Sequence, residues 1–314
     1  MSRTVICHVG TSLLNCAVTK ANDPFHDQRN DTGFVDMGKL IPLLEANYDE
    51  TKGDAIERFT ESIAREWSDT AKDGSKHRVA SPAEIASLAI MSPPLTIDDD
   101  DRVVLVHTDT LQGKLCSEIV EAALGIDAGP GFPRCTAVSK KIEGLTVEPG
   151  TRGDPEKVRA SFIREGLANY ARIVGSEFDK FEHRPLGPDG SRHQLVLNVT
   201  GGYKGLIPMA RDLSLILTGF AQSHGGYQVD VSLTYLFESS PQSIIYDAFS
   251  LRINRHQIPF DALERAQESC DGIESDELEE GSTYYFEEVP VSSERYKPSP
   301  IGSLMLSLRK YITT

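Results

Sequence analysis

Residues 193–220 read HQLVLNVTGGYKGLIPMARDLSLILTGF. Leu195, Val196, Leu197 and Val199 make a short apolar run, the pattern of a strand buried on both faces. A polar turn follows at once, Thr200-Gly201-Gly202-Tyr203-Lys204. Beyond it Leu206, Ile207, Met209, Ala210, Leu213, Leu217 and Phe220 recur at helical spacing, with Arg211 and Asp212 on the opposite face. The spacing predicts strand, glycine-rich turn and helix. In an open parallel sheet such a junction lies at the carboxyl end of the strand, where ligands of doubly wound folds bind. Two glycines let backbone amides approach a ligand, a helix N-terminus favours negative charge, and Lys204 adds a cation. The unit suits a phosphate. Read more plainly, it is a tight turn beside a solvated lysine.

Two further junctions of the same kind precede it. The strand Val5 to Val9 ends in Gly10-Thr11-Ser12-Leu13-Leu14-Asn15, where a hydroxyl pair can donate to phosphate oxygens or cap the helix that follows. The strand Val103 to Val106 ends in His107-Thr108-Asp109-Thr110, ahead of a helix carrying Leu115, Ile119, Ala122 and Leu124. His107 is a candidate general base, but no Ser/Asp or Cys companion completes a triad. The three turns can converge on one sheet edge. The first lacks the dinucleotide GxGxxG pattern and the chain lacks GxxxxGK[ST], which excludes an NAD fingerprint and a P-loop.

Around these junctions, residues 38–67 predict a helix from the spacing of Ile56, Phe59, Ile63 and Trp67, after a polar loop over 20–36. Ser81-Pro82-Ala83-Glu84 is a helix start. The acidic run Asp98 to Asp101 reads as a solvated loop and not as a metal site. A short strand over Thr136 to Val138 and a long amphipathic helix over Pro155 to Phe178 follow, and a strand over Val229 to Phe237 closes the region. Alternating strands and helices predict an α/β domain with a Rossmann-like, mostly parallel sheet over residues 1–240. Residues 241–314 change in character: helix over Ile258 to Cys270, acidic loop over 271–282, strand over Thr283 to Val289, helix over Ile301 to Tyr311. That order is winged-helix-like. Such units often bind DNA, but acids here outnumber bases by about two to one, which favours packing or dimerisation.

Composition narrows the class. The 314 residues are 39% hydrophobic and 25% charged, enough for a sizeable core. No apolar run approaches the roughly 18 residues that cross a bilayer, and MSRTVICHVG enters a strand pattern without a signal-peptide layout. Cys7, Cys16, Cys116, Cys135 and Cys270 are odd in number and scattered, as expected of small buried hydrophobes in a reducing cytoplasm. A net charge of −15 speaks against nonspecific duplex DNA binding, which rests on phosphate neutralisation. A small anion in a locally basic pocket remains compatible with it.

The segments HVGTSLLNC, VLVHTDTLQGKLCSEIVEAAL, KIEGLTVE, REGLANYARIV, LNVTGGYKGLIP and TYLFE occur in that order across most of residues 1–240. In this they resemble the CARF proteins, CRISPR-associated Rossmann-fold sensors of cyclic oligoadenylate, and more narrowly the standalone ring nucleases. The resemblance implies a homodimer that binds cyclic tetra-adenylate across the two-fold axis and needs no cofactor or metal. Ser12 and Lys204 match the family's turn serine and its lysine after the second glycine-rich turn. They are the expected catalytic residues, with Gly10, Thr11, Leu13, Thr108, Asp109, Thr110, Thr200, Gly201, Gly202 and Tyr203 expected around the ligand. The implied chemistry is attack of a ribose 2′-hydroxyl on its own phosphate, leaving a 2′,3′-cyclic end.

The chain departs from that pattern in residues 38–95 and in its acidic C-terminal part. Many CARF proteins switch an attached effector instead of cutting the ring. Arg252-Ile253-Asn254-Arg255-His256 has too few residues between Arg and His for a HEPN ribonuclease, and Asp154-Pro155-Glu156-Lys157 reads as a helix start with early acids. The alternative expectation is therefore a sensor that binds the ring uncut and acts through residues 241–314 on DNA or a partner.

Overall fold

The computed structural model describes residues 2–15, 23–71, 82–89, 91, 101–145, 162–202, 204–223, 226–236, 243–246, 258–269, 272–278, 285–288 and 295–312. In chain order the regular elements are β1 (Arg3–His8), α1 (Met37–Ala71), α2 (Ala83–Ala89), β2 (Arg102–Thr108), α3 (Leu111–Leu124) and β3 (Thr136–Ile142). There follow α4 (Ala168–Asp179), β4 (His193–Asn198), α5 (Ile207–Ser223), β5 (Val229–Leu236) and β6 (Ser243–Tyr246). The C-terminal part contributes α6 (Phe260–Glu268), β7 (Ile273–Glu274), β8 (Phe286–Glu288), β9 (Arg295–Pro298) and α7 (Pro300–Ile312).

The main sheet has the order β3-β2-β1-β4-β5-β6. β1 runs parallel to β2, with Ile6 opposite Val104, and parallel to β4, with Ile6 opposite Leu197. β6 returns antiparallel along β5. This is the Rossmann-like, mostly parallel α/β sheet expected from the alternation of elements. All six residues of β1 are buried, the polar Arg3, Thr4 and His8 as well as the apolar centre Val5-Ile6-Cys7. Val5, Cys7, Val103, Leu105 and Val196 point to one face and join a core with Leu44, Phe59, Trp67, Leu115 and Ile119. Ile6, Val104, Leu195 and Leu197 alternate to the other face and are equally buried.

The helical stretch α1 packs against α3. Its helical geometry breaks at Asn47 (φ −144°, ψ 51°). Tyr48 beyond the break donates to Glu118 at 2.9 Å, with the Lys114 ammonium 4.5 Å from its ring centre. Arg3, the first residue of β1, and Asp101, just before β2, form a buried ion pair at 2.5 Å. Asp101 thus has a partner inside the fold, while the rest of the acidic run, 98–100, lies outside the described residues. Cys7, Cys116 and Cys135 are buried; burial pushes the Cys135 thiol up to about 12. Cys16 and Cys270 lie outside the described residues.

The chain forms two compact units. The first comprises Met1–Lys141, Leu186–Ile207 and Ser232–Asp247; the second comprises Ile142–Pro185, Pro208–Val231 and Ala248–Thr314. Within the second, Phe178 stacks on Tyr227 at 4.6 Å and Phe220 meets Tyr227 edge-on at 5.5 Å. The helix expected over 155–178 is described from Phe162, where a π-helical segment, Phe162–Leu167, leads into α4. Gly144 (φ 84°) lets the turn after β3 lie against that segment: a Cβ there would sit 2.7 Å from the Gly166 nitrogen. In the C-terminal part α6 and α7 pack together beside an antiparallel sheet of order β7-β9-β8. The acidic loop expected over 271–282 holds β7 and a 3₁₀ turn, Ser275–Glu277. Among the described residues no helix is long and apolar enough to cross a membrane.

Candidate functional site

The order of the main sheet reverses at β1: the chain first builds β2 and β3 on one side, then crosses to β4 and β5 on the other. The carboxyl ends of β1 and β4 flank that reversal, the standard ligand position of such sheets. Val9 donates to the Val106 carbonyl at 2.9 Å and Val199 to that of Thr234 at 3.0 Å, carrying the strand pairing up to both turns. The turns then meet. A Cβ on Gly10 would lie 2.8 Å from the Gly202 nitrogen, so the two backbones touch where side chains are missing.

The first turn exposes Ser12 and Asn15, and the second exposes Lys204. After β1 the chain makes a 3₁₀ turn, Thr11–Asn15, with Ser12 exposed and Thr11 half-buried. Leu13 points the other way and is fully buried, which leaves only its backbone for a ligand. After β4 a second 3₁₀ turn, Lys204–Leu206, opens with the exposed Lys204 and runs directly into α5. Tyr203 lies outside the described residues.

The third junction stands on β2, the neighbour of β1. Thr110 caps α3 by accepting from the Gly113 amide at 3.0 Å, and its hydroxyl lies 2.9 Å from that of Thr108. Thr108, Asp109 and Thr110 are half-exposed. His107 Nδ1 lies 2.7 Å from the Thr108 carbonyl, which places the proton on that nitrogen. Burial holds the His107 pKa below the usual range, in part against that hydrogen bond.

A polar cluster that sequence reasoning missed lies against both turns. Glu84, in the first turn of α2, is fully buried, and its Oε1 accepts the Gly10 amide at 2.8 Å. Burial raises its pKa, because an ionised carboxylate would lose its hydration there. One turn later Ser87 donates to the Glu84 carbonyl at 2.9 Å and accepts from Asn198 Nδ2 at 2.7 Å. Asn198 Oδ1 in turn accepts from the Thr200 hydroxyl at 2.7 Å and the Thr200 amide at 3.2 Å. The short helix α2 is thereby tied to the ends of both β1 and β4. The one sequence signal is Asn198, the polar residue that interrupts the apolar run from Leu195 to Val199.

The glycines answer first to this packing. A Cβ on Gly201 would overlap the Glu84 carboxyl and come within 2.6 Å of the His8 carbonyl; one on Gly202 would lie 2.6 Å from His8 Cβ. Gly202 also adopts φ 79°, a left-handed conformation that side chains disfavour. Gly190 provides the control, since it has φ 77° with nothing within 4 Å of a Cβ. Gly190→Ala should lose about 1 kcal/mol from backbone strain alone. Gly202→Ala should lose a further 1–3 kcal/mol or so from overpacking. Thermal unfolding of the two variants side by side checks the difference.

His8 adds a pH dependence. Burial lowers its pKa from 6.5 to about 4. Between those values the unfolded chain takes up a proton that the folded chain refuses. Stability therefore falls as pH falls through that window, by up to about 1.4 kcal/mol per unit, and levels off below it. Glu84, shifted upward, acts in the opposite sense: its contribution is complete at low pH and is lost as pH rises through its folded value. Urea unfolding at pH 7 and pH 5 should show the acid loss in the wild type and a smaller one in His8→Asn.

A family model described as CRISPR-associated protein (Cas_APE2256) matches residues 79–244, more than half of the chain. The matched span includes α2 with Glu84 and the turn Thr200–Lys204, and it begins after the turn that carries Ser12. No curated protein matches the chain.

Proposed function

The chain belongs to the CRISPR-associated protein (Cas_APE2256) family, and from that premise we propose that it binds cyclic tetra-adenylate and cleaves it. The observation that carries this reading is the meeting of two glycine turns at the sheet's reversal point, one presenting Ser12 and the other Lys204. The CARF-like segments of the sequence and the family support the ligand class. Two copies facing each other across these turns would give the four-fold repeating ligand equivalent contacts on a two-fold axis.

The reaction is an internal transfer. A ribose 2′-oxygen attacks the adjacent phosphorus and forms the O2′–P bond as the P–O5′ bond breaks. The ring opens to a 2′,3′-cyclic phosphate and a 5′-hydroxyl. The 2′-proton passes to water and the departing 5′-oxygen takes one up. Lys204 stabilises the charge that builds on the non-bridging oxygens, while Ser12 and the amides of the glycine turns hold the phosphate in line. His8 is buried with a depressed pKa and His107 Nδ1 is engaged with a carbonyl, so neither is placed as an efficient base. Turnover should be slow. That suits a protein that ends a second-messenger signal.

Incubation of the purified protein with labelled cyclic tetra-adenylate in EDTA tests this directly. Linear products ending in a 2′,3′-cyclic phosphate support it. Tight binding with an intact ring would make the protein a sensor, and absence of binding would remove the nucleotide reading altogether.

A further inference from the structure

We infer that Glu84 is the positioning residue of this site, spanning the two glycine turns so that Ser12 and Lys204 stand at a fixed separation. The inference rests on the nucleotide reading above. Glu84 ties α2 to the β1 turn through a hydrogen bond from Gly10 N–H to Oε1 at 2.8 Å. On its other side the carboxyl occupies the space that a Gly201 side chain would need. Both turns are thus shaped around one group. A residue of any other length at 84 either releases Gly10 or drives against Gly201.

The second oxygen strengthens the case. Glu84 Oε2 is buried and has no hydrogen-bond partner, an arrangement that a packing role alone would avoid by using an apolar side chain. Burial favours the neutral acid here. A neutral carboxyl braces the turns without setting a negative charge beneath a phosphate-binding surface. Cys7 and His8 on β1, the ionisable groups that flank Glu84 from that strand, are themselves buried and held neutral by desolvation. Ser87, Asn198 and Thr200 complete the surroundings with uncharged hydrogen bonds.

The test uses the full chain and labelled cyclic tetra-adenylate. Glu84→Gln keeps the length, the acceptor for Gly10 and the neutrality, and should bind within about threefold of the wild type. Glu84→Ala should weaken binding by about tenfold or more, since small displacements of positioned groups are enough for that. Lys204→Ala should then add little in the Glu84→Ala background, because a misplaced lysine has already lost its contact. Thermal unfolding of every variant confirms that each is folded; if Glu84→Ala is not, Glu84→Asp takes its place with the same expected loss. Wild-type affinity in the folded Ala or Asp variant would overturn the inference, as would a Gln variant that binds as poorly as Ala. Full additivity with Lys204→Ala would also overturn it. A wild-type protein that does not bind the ring at all marks the failure of the nucleotide reading itself, and this inference goes with it.

Discussion

Asp101→Ala is expected to destabilise the protein by about 3–5 kcal/mol, the range for removing one partner of a buried ion pair. The Arg3 and Asp101 side chains are almost fully buried, at 1% and 4% exposure, and lie 2.5 Å apart. Removing the carboxylate takes this close counter-ion from a buried guanidinium at the start of the strand on which the sheet is centred. On the usual scaling the unfolding midpoint should fall by roughly 10 °C. The opposite experiment separates charge from packing. Replacing both partners together, Arg3→Met with Asp101→Leu, should recover most of the loss, since apolar pairs commonly substitute for buried ions. A double variant as unstable as Asp101→Ala would show that the pair does more than neutralise itself.

Lys204→Ala is expected to lower the rate of ring cleavage by about 10²–10³-fold, as for removal of one group that stabilises developing charge. Lys204 is exposed and opens the 3₁₀ turn between β4 and α5, so the substitution touches no core contact and stability should hardly change. Single-turnover cleavage separates the two effects of the lysine. If it acts mainly on the transition state, the rate falls much further than affinity does. Equal losses in both would assign it to holding the ring. A rate unchanged in the variant would remove Lys204 from the chemistry.

Much of the fold was legible because both faces of the sheet are buried. Leu195, Leu197, Val103 and Val104 announce their strands as continuous apolar runs, and the glycine turns after β1 and β4 mark their ends. Lys204 and Ser12 were legible as exposed polar residues at those ends. Glu84 was not. In the sequence it is an acid in the first turn of a helix, the ordinary place for one, and nothing local says that the turn faces inward. What draws it in is a space bounded by Gly10 and Gly201, residues 74 positions before it in one case and on a different strand in the other. The same long-range packing changes the meaning of the glycines, which read as openings for a ligand and also serve to admit Glu84 and His8. Leu13 and Leu14 turn inward together in the 3₁₀ turn, which a sequence reading of the turn as an open ligand loop does not show. Thr110 likewise spends its hydroxyl on capping α3.

The contact of Gly10, Glu84 and Gly201 bears on how such a protein can drift over generations. None of the three positions is free to change alone: a methyl group at 201 overlaps the carboxyl at 84, and a shorter side chain at 84 releases the amide of residue 10. A lineage that gains alanine at 201 should therefore already carry a shorter residue at 84 and a displaced backbone at residue 8, whose carbonyl the same methyl also meets, so that the order of substitutions is constrained as well as their identity. Distant relatives should show these positions changing as a set, although they lie far apart in the chain.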